Sequence, residues 1–174
     1  MEKHENKNYI SAKSNNRMVA LTGVFIALAL VLSYLEGLIP VFAAVPGVKL
    51  GMANIVTMLA MYKLGVKPAI VISAGRIVLS GILFGNLYVI IYSLAGATLS
   101  ICIMIILKKV KLFSVVGVSV AGAVAHNAGQ IIVAVFLMEN VNIMYYLPVL
   151  IISGVAAGIV VGILTVYIIR NIRI

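Results

Sequence analysis

Six polar side chains in an otherwise apolar chain carry groups that could do chemistry: Lys49, Asn54, Arg76, His126, Asn127 and Gln130. Their types suit recognition of an anion. A guanidinium pairs with phosphate or carboxylate through two parallel hydrogen bonds, and an ammonium and an imidazole add charge or donors beside it. His126 and Gln130 are four residues apart, so a helix places them on one face, and Gly122 extends that face by a turn. Lys49 and Asn54 belong to the run P-G-V-K-L-G-M-A-N, which joins a turn, a lysine and an asparagine.

Catalytic patterns are missing. There is no Gly-rich phosphate loop with a lysine, no carboxylate pair, no metal-ligand spacing, and no serine or cysteine with an obvious base. His126 has no second His or Cys in its own span to share a metal, and the single Cys102, within another apolar run, can form no internal disulfide. The expectation is a protein without catalytic residues, metal or cofactor, whose polar groups bind rather than react.

These residues have to be positioned by membrane-spanning helices. Of 174 residues 64% are apolar and 10% charged, and the mean hydropathy is +1.23, more apolar surface than a water-soluble domain can hide. At about 20 residues per crossing the length accommodates six helices and hardly more. The reading is an all-α integral membrane protein, a six-transmembrane-helix bundle forming a single domain over 18–174, preceded by a polar tail over 1–17. The apolar runs span 18–35, 48–64, 68–84, 87–107, 113–138 and 145–170, with a turn-rich loop over 36–47. A cleaved signal peptide fits poorly, because Pro40 and Phe42 sit where small residues are needed.

The net charge of +9 would suggest nucleic acid in a soluble protein; here the basic residues orient the bundle in the lipid bilayer instead. With the N-terminus inside, the tail, the second-to-third and fourth-to-fifth loops and the C-terminus hold 11 of the 13 Lys and Arg. Both termini are therefore expected in the cytoplasm. Lys49 falls near the outer boundary and Arg76 near the midplane. An arginine there costs about 2.5–3.5 kcal/mol on insertion scales and should face the bundle interior. Glu36 and Glu139, the only acids beyond the tail, are expected in outer loops. Arg76 then needs neutral partners, such as Asn54, His126, Asn127 and Gln130, or an anion from outside. The plainer alternative is that Arg76 bonds helix-end carbonyls and the His126–Asn127 pair bridges helices.

Small residues at four-residue spacing (Gly154, Gly158, Gly162; Gly117, Ala121, Ala125, Gly129; Gly81, Gly85) predict close helix packing. Gly23 and Ala27 in the first run, near its cytoplasmic end, could equally face a partner protein.

Four segments resemble the bacterial family called heptaprenyl diphosphate synthase component I, also called Gx transporters: V-P-G-V-K-L-G-M-A-N-I-V-T-M-L-A, G-R-I-V-L-S-G-I-L-F-G-N, Y-S-L-A-G and G-V-S-V-A-G-A-V-A-H-N-A-G-Q. That family is similar in outline to the S components of energy-coupling factor (ECF) vitamin transporters, six-helix bundles that bind a small substrate near the outer face. The likeness to S components implies a substrate-binding subunit of an importer in the bacterial cytoplasmic membrane, with a T component and ATPases as partners and Ala20, Gly23 and Ala27 as the docking motif. The family's enzymatic name implies instead a membrane component of isoprenoid or quinone biosynthesis that holds a prenyl diphosphate. The aspartate-rich motifs of prenyl diphosphate synthases are absent, since the chain has no Asp.

Overall fold

The computed structural model describes residues 2–39 and 50–172. They form six helices: α1 (Glu2–Gly37), α2 (Met52–Lys63), α3 (Val66–Phe84), α4 (Leu87–Val110), α5 (Val115–Met138) and α6 (Leu147–Asn171), the last preceded by a 3-10 segment, Val141–Tyr146. Lys49, Arg173 and most of the loop over 36–47 lie outside the described residues.

Helix ends follow side-chain chemistry. Asn86 accepts from the Val89 amide at 3.0 Å and Ser114 from the Gly117 amide at 3.1 Å, each satisfying a donor that the first turn leaves orphaned. Asn140 accepts from the Asn142 amide and starts the 3-10 segment. Two boundaries differ from the sequence reading. Helix α1 begins at Glu2 rather than near Met18, because a helix already nucleated in an apolar run extends at low cost into polar neighbours. Helix α2 begins only at Met52, after Gly51 at φ 77°, a left-handed conformation that suits glycine.

Five helical segments are long and apolar enough to cross a membrane: Asn15–Gly37, Val66–Phe84, Leu87–Val110, Val115–Met138 and Val141–Asn171. With 12 residues, α2 is about 18 Å long against a hydrocarbon core of about 30 Å. Of the six crossings expected, five are matched by helices long and apolar enough to span a membrane among the described residues, and the short, largely buried α2 is not among them.

Helices α2 to α6 pack as a closed ring, each against the next and α6 back against α2, while α1 lies on the α2–α3 seam. The α5–α6 seam is drawn tight by the predicted glycine ladder: a Cβ on Gly158 would lie 2.6 Å from the Val120 Cα, and one on Gly162 2.7 Å from the Val116 Cα. Gly129 of α5 meets Gly96 of α4 in the same way, and Gly81 of α3 leaves room for Ile90. Gly117 touches only its own turn, so the other expected ladder is used in part. Lys63 donates to the Ile172 carbonyl at 3.0 Å, and Lys108 to the Met61 carbonyl while lying 4.7 Å over the Tyr62 ring. These bonds gather the ends of α2, α4 and α6 at one lysine-rich pole of the bundle.

Replacement Gly158→Ala is expected to force the α5 backbone away and to cost about 1–3 kcal/mol, read as a lower thermal midpoint in detergent. Gly23→Ala, with nothing within 4 Å of its added carbon, should leave the midpoint unchanged.

Candidate functional site

The ring encloses a cavity of about 80 Å3 lined by all six helices. Its polar wall brings together Asn54 of α2, Arg76 of α3, and His126, Asn127 and Gln130 of α5. Five of the six side chains expected to converge thus do so.

Arg76 enters from α3, three residues after Ser73, which shares its face and also lines the cavity. Its Nη1 donates to Ser33 Oγ of α1 at 3.3 Å, while its Nε is buried without a hydrogen-bond partner. Close approach of α1 is possible because Gly75 leaves room for Ile26, whose Cδ1 would be 3.1 Å from an added Cβ. Asn127 is held by its side-chain amide, which donates to the Leu150 carbonyl of α6 at 2.6 Å. Gln130 packs on Gly96, where any side chain would collide with it. Asn127 therefore does bridge helices, and it lines the cavity as well.

Glu36 corrects the sequence reading. Expected in an outer loop, it lies in the last turn of α1, is 7% exposed and faces the same cavity as Arg76. Its Oε1 accepts from the Gly51 amide at 2.6 Å. The short α2 leaves a corner of the ring that the end of α1 closes, and the carboxylate completes that closure by capping the backbone just before α2. Arg76 does not, as the sequence suggested, face a cavity without an acid. The acid is already engaged by the backbone, and the guanidinium retains an unmatched donor.

Sequence reasoning also passed over five hydroxyls: Thr57, Ser73, Ser93, Ser100 and Ser119 all line the cavity and are buried. The signal was present in their spacing, since Ser93, Ala97, Ser100 and Met104 share one face of α4, and Ser119, Gly122, His126 and Gln130 one face of α5. Among the described residues no three His, Cys, Asp or Glu side chains are grouped to hold a metal. What this set can do is ion-pair and hydrogen-bond a small polar molecule. Ala20, Gly23 and Ala27 lie elsewhere, exposed on the face of α1 turned away from the ring.

The fold and cavity define a multi-pass membrane protein with a polar site inside its helix ring. The family model for heptaprenyl diphosphate synthase component I matches residues 25–168, and the chain belongs to that family. No curated protein and no solved structure gives a significant match.

Glu36→Ala removes a charged acceptor from the Gly51 amide and is expected to cost about 1.5–3 kcal/mol in thermal unfolding. Glu36→Gln keeps an acceptor oxygen and should recover most of that loss.

Proposed function

We propose that this chain is the membrane-embedded binding component of heptaprenyl diphosphate synthesis, holding a diphosphate-bearing ligand without catalysing its formation. Arg76 pairs with the diphosphate, with Asn54, His126, Asn127 and Gln130 around it. The observation that carries this reading is the buried Arg76 Nε, a donor without a partner inside a polar cavity. Guanidinium is the group best suited to phosphate, and the family to which the chain belongs supplies the diphosphate. Magnesium-assisted ionisation of a prenyl diphosphate calls for paired carboxylates, and among the described residues the wall contributes Glu36 alone. Catalysis is therefore assigned to a partner synthase subunit.

A second reading, an S-component-like importer subunit with six crossings and both termini cytoplasmic, is favoured by one observation. Ala20, Gly23 and Ala27 form an exposed small-residue face on α1 against which another helix could pack closely. Its ligand would be a small soluble anion, and its partners a T component and ATPases.

Thermal stabilisation of the purified chain by inorganic pyrophosphate, isopentenyl diphosphate, long prenyl diphosphates and a panel of vitamins separates the two. The first reading expects stabilisation by diphosphates and copurification with a soluble prenyltransferase; the importer reading expects a single vitamin and an ATPase pair. Arg76→Ala should abolish the response, and Arg76→Lys, which keeps the charge but loses the planar fork, should weaken it about tenfold. A response that survives Arg76→Ala overturns the site.

A further inference from the structure

Other hydroxyls of this bundle, at exposed, half-buried and buried positions alike, satisfy themselves on their own helices. Thr98 donates to the Leu94 carbonyl at 2.8 Å, Thr165 to the Val161 carbonyl at 2.7 Å, and Ser153 to the Leu150 carbonyl at 3.1 Å. The cavity hydroxyls do otherwise. Among the described residues Thr57, Ser73, Ser100 and Ser119 make no hydrogen bond, although they are 3–8% exposed, and the Thr57 Oγ1 is fully buried without a partner. A serine or threonine in a helix normally bonds the carbonyl one turn back, and a buried polar group without a partner requires an explanation.

Their register adds a second observation. Ser73 precedes Arg76 by almost one turn on α3, and Ser119 lies two turns before His126 on α5. A Cβ on Gly122, one turn before His126, would lie 3.2 Å from the Ser100 Oγ, which sets Ser100 at that same lower level. Thr57 lies six residues from the Lys63 end of α2. Ser73 thus sits on the lysine-rich side of Arg76, and Ser100 and Ser119 on the lysine-rich side of His126; all four hydroxyls line the same cavity, with Gly122 supplying space that any side chain would take from Ser100 and Met104.

We infer that Thr57, Ser73, Ser100 and Ser119 form an oxyanion subsite below Arg76, which receives the terminal phosphoryl or an equivalent oxygen-rich group of the ligand head-first. Four neutral donors suit this place. They bond the oxygens of an anion whose charge Arg76 already balances, and they add no further cation to a low-dielectric interior. This rests on the anion-binding reading of the cavity and adds the orientation: the head points to the lysine-rich pole and the remainder toward Asn54, Ser93 and Gln130. An isoprenoid diphosphate and a soluble phosphorylated or carboxylated molecule share the required head.

The test is calorimetric titration of the full chain in nanodiscs with inorganic pyrophosphate, orthophosphate and isopentenyl diphosphate, comparing Thr57→Val and Ser100→Ala with Thr98→Val. Pyrophosphate affinity should fall about tenfold in each cavity variant and remain unchanged in Thr98→Val, whose hydroxyl is on the same helix as Ser100 but bonded to its own backbone. The unliganded cavity variants should melt no lower than the parent, because the hydroxyls they lose have no protein partner. That also guards against a folding defect as the cause. Gly122→Ala, which fills the subsite without removing a polar group, should weaken pyrophosphate more than orthophosphate. If Arg76→Ala abolishes binding while both cavity variants bind like the parent, water alone satisfies the hydroxyls and the subsite is overturned, with the anion site left standing. If Arg76→Ala binds like the parent, or no probe binds the parent, the anion reading falls and takes the subsite with it. Equal binding of pyrophosphate and isopentenyl diphosphate supports an isoprenoid source; loss of the second only supports a soluble one.

Discussion

A guanidinium halfway along a helix that is surrounded by lipid can be accommodated only if the helix turns it inward and neighbouring helices give it polar company. Arg76 imposes that condition on α3, and much of the architecture follows. The ring of α2 to α6 supplies an interior, and α1 closes the corner that the short α2 leaves open, bringing Ser33 to the guanidinium and Glu36 to the Gly51 amide. Gly75 makes the α1–α3 approach possible. On the opposite side, glycine contacts pull α4, α5 and α6 together backbone to backbone. Tight seams there and a short helix here leave the space in the middle, so the cavity comes from unequal packing around the ring rather than from loose packing throughout.

The polar lining of that space is not what stability by itself would select. The fully buried Thr57 hydroxyl and the Arg76 Nε, both without a partner, oppose folding in an apolar setting, where a well-packed aliphatic group could take their place. Groups of this kind persist where they serve binding, and sites that bind commonly give up stability for it. The same bundle satisfies Thr98, Thr165 and Ser153 locally, so helix geometry did not prevent self-satisfaction of the cavity hydroxyls. Their side chains are turned toward the cavity instead.

The exposed face of α1 obeys a related rule. Ala20 and Ala27 flank a glycine that nothing in the chain approaches, whereas the glycines of α6 are all in close contact. In lipid, where apolar association gains little, unused small residues on a helix surface are an open packing surface. The bundle thus has one polar feature turned inward and one packing feature turned outward, on different helices.

Hydropathy, charge and small-residue spacing determined the helical class, six helices apart from the starts of α1 and α2, the ladder Gly154–Gly158–Gly162, and the convergence of Asn54, Arg76, His126, Asn127 and Gln130. These are legible because backbone groups in lipid must be bonded within their own helix, and because an interior polar face repeats every three to four residues. Three matters were decided only by tertiary structure. Glu36 changed from loop to cavity wall because α1 continues two residues past the point where its apolar run ends, and packing on α2 and α3 rather than local propensity sets that end. The length of α2 depends on the left-handed Gly51 and its carboxylate cap, a contact between residues 15 apart. Whether a serine bonds its own helix or opens into the cavity is a choice between rotamers of nearly equal local energy, so only the neighbours across the ring, Gly122 above all, could settle it for Ser100.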